Sequence, residues 1–170
     1  DFERVALKAE SARDYFLLVG PPGTGKTSRA LRRMVEHFYA ASSMQILLLA
    51  YTNRAVDEIC QSLSSITPCI DYIRVGSELS CDVRFRGHLL ENILAECNSR
   101  REVNIRMADC RVYVGTVASI AAKAELFKLK RFDVAIVDEA TQILEPQLLG
   151  ILCAKFADER NAVGKFIPVS

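Results

Sequence analysis

The stretch Gly20-Pro21-Pro22-Gly23-Thr24-Gly25-Lys26-Thr27 constrains this chain more than any other. It fills every fixed position of G-x-x-x-x-G-K-[ST], the loop that wraps the phosphates of a nucleoside triphosphate. Such a loop works between a strand and a helix, and the flanks agree. Tyr15-Phe16-Leu17-Leu18-Val19 reads as a buried strand, and helical periodicity begins at Ser28. Glycines let successive backbone N–H groups turn toward one point, and the helix N-terminus adds the positive end of its dipole. The candidates for nucleotide binding are Gly20, Pro22, Gly23, Thr24, Gly25, Lys26, Thr27 and Ser28. Lys26 would neutralise the β- and γ-phosphates, and Thr27 would hold Mg2+ through its hydroxyl. The bland alternative is a chance match in a Gly/Pro turn.

The remaining pattern predicts the fold around that loop. Apolar runs at 16–19, 46–50, 72–75, 112–114 and 134–137 alternate with helical stretches. Ala30, Leu31, Met34, Val35 and Phe38 paint one helix face, with Arg32, Arg33 and Glu36 turned outward. Ala55, Val56, Ile59, Cys60 and Leu63 do the same in a second helix, whose early turns hold Asp57 and Glu58, where acids suit the dipole. Strands joined by crossover helices imply an α/β sandwich of three layers around a mainly parallel sheet, the P-loop NTPase class. The chain reads as one domain over 1–170. Residues 76–109 break the rhythm and read as a helical insertion, with helices at 84–97 and 99–108. Seven arginines from Arg74 to Arg111 interleave with six acids, so a solvated face competes with a nucleic-acid surface.

Asp133-Val134-Ala135-Ile136-Val137-Asp138-Glu139-Ala140-Thr141-Gln142 is the second strong signal. A buried strand delivers two acids at its C-terminal end, the edge where open parallel sheets bind ligands. Asp138 would hold Mg2+, which keeps several of its waters. Glu139 would aim and deprotonate the attacking water. Acids often follow strands at a surface. The weight comes from their agreement with the phosphate loop.

Together these residues resemble the superfamily 1 helicases, in the branch of the nonsense-mediated-decay RNA helicase and the replication helicase–nuclease. Thr52-Asn53-Arg54-Ala55-Val56-Asp57 is similar to that family's motif Ia, Gly115-Thr116 to its motif Ic, and Arg74-Val75-Gly76 to one of its strand ends. The similarity runs over about 14–150, including Glu145-Pro146. It implies a RecA-like fold, ATP and Mg2+ as cofactors, and catalytic roles for Lys26, Asp138, Glu139 and Gln142, with Gln142 coupling nucleotide state to the motor. It implies that Thr52, Asn53, Gly115 and Thr116 contact the backbone of single-stranded nucleic acid, DNA favoured over RNA. Helix capping is the competing role for Thr52, Asn53 and Thr116. The family's adenine-reading glutamine has no counterpart near Phe2-Glu3-Arg4.

The resemblance further implies a second RecA-like domain in the same parent chain. The sequence starts at Asp1 and stops at Ser170, short of that domain, so it reads as a piece expected to bind nucleotide and turn it over very slowly. The competing function is a nucleotide-driven switch or assembly ATPase without a nucleic-acid track, since the same octapeptide occurs in ring-forming ATPases. Asp-Glu-Ala-Thr-Gln and Thr52-Asn53 favour the helicase. With half the residues hydrophobic, a quarter charged and a net charge of +1, the composition is that of a globular chain and leaves a nucleic-acid partner open. No run has the length of a membrane span, and the start lacks a signal-peptide layout. Six cysteines without C-x-x-C spacing or nearby histidine argue against zinc and disulfides, and for a reducing compartment, cytoplasmic or nuclear.

Overall fold

Apolar runs that do not alternate with polar residues need cover on both faces, and helices between them supply it. The computed structural model, which describes residues 2–20, 26–41 and 43–170, has this arrangement. The chain begins with α1 (Phe2–Ser11), then a π-helical turn at Lys26–Leu31 that continues as α2 (Arg32–Ala41), β1 (Ile46–Ala50), α3 (Asn53–Ser64) and β2 (Tyr72–Val75). Tight helical turns at Glu78–Ser80 and Val83–His88 lead to α4 (Leu90–Ala95), α5 (Arg100–Asp109) and β3 (Val112–Thr116). The last part holds α6 (Val117–Ala121), α7 (Leu126–Leu129), β4 (Phe132–Val137), a short turn at Ala140–Gln142, α8 (Glu145–Leu152) and β5 (Val163–Pro168).

The five strands form one sheet in the order β2-β3-β1-β4-β5, and every pairing is parallel. β1 lies at its centre, with Leu48 opposite Val114 on one side and Ile136 on the other. All five residues of β1 are buried, and they alternate between two cores. Ile46, Leu48 and Ala50 pack with Met34, Phe38, Val56 and Ile59 of α2 and α3. Leu47 and Leu49 pack with Tyr113, Ile120, Phe127 and Ile151 on the other face. Each large side chain so buried contributes roughly 1.5–3 kcal/mol. The sandwich of three layers follows from this two-sided burial.

Both anticipated helix faces are the buried faces. Ala30, Leu31, Met34, Val35 and Phe38 are sealed in the core, while Arg32 and Arg33 turn outward and both pair with Glu36. In α3 the buried set is Ala55, Val56, Ile59, Cys60 and Leu63.

Three expectations are corrected. Residues 16–19 are not a buried strand. Asp14 to Gly20 pair with the outer side of β5 by bonds such as Phe16 N–H to Phe166 O (3.0 Å) and Leu18 N–H to Pro168 O (3.0 Å), at a sheet edge. An edge has one open side, so Phe16 and Leu18 pack inward while Tyr15, Leu17 and Val19 face solvent. Residues 84–97 are not one helix. Leu89 adopts extended backbone (φ −62°, ψ 133°) to bridge Arg74 on the free side of β2, which splits the segment into a tight turn and α4. Asp57 lies beyond the first turn of α3, which holds no acid, and its carboxylate is taken by Arg74.

Candidate nucleotide and single-strand site

A parallel sheet ends all its strands at one edge, and here that edge collects Tyr51, Gly76, Val117, Asp138 and Val169. Asp138 is buried, and its amide donates to Leu49 O (2.8 Å), which fixes it against the central strand. Glu139 follows in the left-handed region at φ 50°, ψ 40°. For a residue with a Cβ this conformation costs about 1–2 kcal/mol, and such positions gather where a side chain must be aimed. Gln142 closes the turn by donating its amide to Glu139 O (2.9 Å) and exposes its side chain.

Val169 and Ser170 join this acidic turn to the start of the phosphate loop. On one side Ala140 N–H donates to Val169 O (2.9 Å) and Val169 N–H to Val137 O (2.8 Å). On the other, Gly20 N–H donates to Ser170 O (3.0 Å) and Ser170 N–H to Leu18 O (2.9 Å). Gly20 and Asp138 thus stand about two strand spacings apart, roughly 10 Å. Pro22, Gly23, Thr24 and Gly25 lie outside the described residues, and of Lys26, Thr27 and Ser28 the backbone alone is described. That backbone opens the π-helical turn, a form that concentrates at functional sites. A buried carboxylate at a strand end is the hard oxygen donor that Mg2+ takes, so Asp138 fits that ion chemically.

The expected strand contacts sit one and two strands away. Ala50 is in register with Thr116, so the turns after β1 and β3 leave the sheet side by side. Thr52 caps α3, its hydroxyl accepting from Ala55 N–H (3.1 Å) while remaining exposed, with Asn53 half-buried beside it. Thr116 is different. It is buried, and its hydroxyl accepts from Ser119 N–H (3.0 Å) and lies 2.8 Å from Ser119 Oγ, so it caps α6. At Gly115 a Cβ would stand 2.8 Å from Val75 O, so that glycine is needed for close backbone packing.

A family model described as an AAA domain matches residues 3–163. The chain belongs to that family. It is 33% identical over 152 residues to the DNA replication ATP-dependent helicase/nuclease JHS1 of Arabidopsis thaliana, covering 89% of this chain and 11% of that protein. With the human DNA replication ATP-dependent helicase/nuclease DNA2 it shares 32% over 145 residues, 83% of this chain and 13% of that one. With the mouse RNA helicase Mov10l1 it shares 29% over 137 residues, 79% and 11%. The chain therefore spans only a small part of these relatives. Its fold is shared with the UvsW helicase of bacteriophage T4 (TM-score 0.61, 13% identity, 99% of this chain and 51% of that one). The same holds for the Sulfolobus solfataricus SWI2/SNF2 ATPase core in complex with dsDNA (TM-score 0.64, 12% identity, 99% and 30%). The α/β class with a parallel RecA-like sheet is that of these cores.

In this AAA domain the arginines of 76–109 are largely engaged within the protein. Arg84 bonds Asp82 and Gln61, Arg86 bonds Glu78, and Arg106 bonds Asp71. Arg74 is buried against Asp57, beside the Cys60 thiol, which burial pushes up to about 12. Sequence reading found Asp57 and Arg74 separately and missed the pair, because they are 17 residues apart and only the fold joins them. It also missed Tyr51, an exposed aromatic beside Thr52, and Ser119, visible only through its bond to Thr116.

Proposed function

We propose that this AAA domain is the ATP-binding and ATP-hydrolysing motor domain of a DNA or RNA helicase, in which turnover drives movement along a single strand. The observation that carries the reading is the stitching of Gly20 and of residues 137–140 to the same Val169–Ser170 backbone. It puts the start of the phosphate loop and two acids at one edge, as a phosphoryl-transfer site requires. Lys26 and Thr27 would take the phosphates and the metal, with Asp138 as second metal residue. Mg2+, when bound, would offset charge on the β- and γ-phosphates. Glu139 would accept the proton of the attacking water, its left-handed backbone setting the direction of the carboxylate. Gln142, on the same turn, would report nucleotide state outward. The exposed Thr52 and Asn53, with Thr116 and Gly115 in the neighbouring turn, would position a phosphate backbone without reading sequence.

DNA is favoured over RNA because the relatives with the higher identity are named DNA replication helicases. A second RecA-like domain in the parent chain would complete the transition-state site. No helix among the described residues is long and apolar enough to cross a membrane. Six free thiols suit a reducing nuclear or cytoplasmic compartment.

Titration of the 170-residue chain with an ATP analogue and Mg2+ tests the reading. Lys26→Ala should abolish or severely weaken binding, and Glu139→Gln should preserve it. The reverse ranking would refute these roles. Nucleotide binding that no single strand influences, in the parent protein, would favour the switch or assembly ATPase instead.

A further inference from the structure

Arg74 is the largest fully buried side chain among the described residues, and none of the roles above uses it. It sits on β2, the edge strand, at the junction of four parts of the fold. Its own strand pairs with β3, opposite Val114. The other side of its backbone bridges Leu89. Its guanidinium bonds the Asp57 carboxylate of α3 and donates to Ser80 O (3.3 Å). Asp57 also accepts from Asp82 N–H (3.4 Å). Helix α3 and the first part of the 76–109 segment are thus joined through one arginine and one aspartate at their buried side, with the exposed Arg84–Gln61 bond as a second link.

The Arg74 side chain is sealed while that of Asp57 is 24% exposed, and burying charge in this way is a poor route to stability, because desolvation offsets the attraction. What a buried pair supplies that an apolar contact does not is a fixed geometry. The planar guanidinium must meet both a carboxylate on α3 and a carbonyl in the 77–80 turn. Sliding α3 along its axis would break one of these bonds. Thr52 and Asn53 stand at the N-terminal end of that same helix, about one and a half turns before Asp57.

We propose that Arg74 and Asp57 are positioning residues for the single-strand contacts at Thr52 and Asn53, and that they make those contacts dependent on docking of residues 77–89. The proposal rests on the nucleic-acid reading above. Coupling of this kind is reciprocal. A strand bound at the start of α3 therefore steadies the 77–89 segment, and loosening that segment weakens the strand.

The test uses the 170-residue chain with fluorescent dT20 and rU20 oligonucleotides, an ATP analogue, and amide hydrogen exchange of residues 78–89. Asp57→Asn keeps the shape and an acceptor but removes the charge. Arg74→Lys keeps the charge but loses the planar fork. The expected result is oligonucleotide affinity lowered about tenfold or more, with nucleotide affinity within about twofold of the parent. Oligonucleotide should protect the 78–89 amides in the parent and not in Asp57→Asn. Parent-like oligonucleotide affinity in both variants, or no protection of 78–89 in the parent, would overturn the proposal. So would equal loss of nucleotide and oligonucleotide binding, which marks a purely structural pair. Failure of the parent itself to bind either oligonucleotide would instead defeat the nucleic-acid reading.

Discussion

Where the strands begin, Lys130 places its ammonium among the carbonyls of Met107, Cys110 and Ala108 at 3.0, 2.7 and 3.2 Å. Lys165 does the same for Ala9 and Glu10 at 2.8 and 2.7 Å. Each closes the C-terminus of a helix, α5 or α1, where unpaired carbonyls and the negative dipole end favour a cation. Burial pushes both lysines below their ordinary range. At the opposite edge the charges are acids, and the local geometry is less comfortable: Asp138 buried at a strand end, and Glu139 with φ of 50°. One edge uses buried charge to close helices. The other sets a buried carboxylate beside a left-handed residue, a conformation that gathers at functional sites.

Substitutions at the two edges should separate stability from activity. The largest expected effect is Glu139→Gln, which should lower ATP turnover of the parent protein by about 10²- to 10⁴-fold, with nucleotide affinity and thermal midpoint little changed. A drop confined to a few-fold would mean that another group takes the proton. At the far edge, Lys130→Met should cost about 2–4 kcal/mol in urea unfolding, since a charged donor to three carbonyls is lost, with nucleotide affinity unchanged in the folded protein. Gly115→Ala should cost about 1–3 kcal/mol, because its Cβ would press on Val75 O. The smallest effect is Thr52→Ala, about 1 kcal/mol for a lost helix cap. If this change weakens oligonucleotide binding more than its loss of stability explains, Thr52 does more than cap, and the contrast between the edges extends to the strand site.

The parts of the fold that sequence reading anticipated are those set by local periodicity. The buried faces of α2 and α3 follow from apolar spacing alone, as does the two-sided burial of β1. Asp138 and Glu139 were visible because a strand of unbroken hydrophobics must end at an edge, and the acids mark which end. What was missed depends on pairings distant in sequence. The segment 16–19 is as apolar as β1, yet it lies outside β5, and composition does not tell a central strand from an edge. Leu89 leaves the helical region to meet Arg74, a partner 15 residues earlier. Asp57 looked like a dipole acid because its true partner belongs to another element. Thr116 carries the same residue type as Thr52 and the same capping role, but the fold buries one and exposes the other.

The outer side of residues 14–20 has a colloidal consequence. Tyr15, Leu17 and Val19 present three apolar side chains along a backbone whose pairing among the described residues is with β5 and the Val169–Ser170 that follow it. An exposed, hydrophobic sheet edge is a template for another chain to add to. The isolated domain is therefore expected to be limited in solution by self-association before it is limited by unfolding. Leu17→Lys should raise the concentration at which light scattering sets in, because its side chain faces solvent and away from the core.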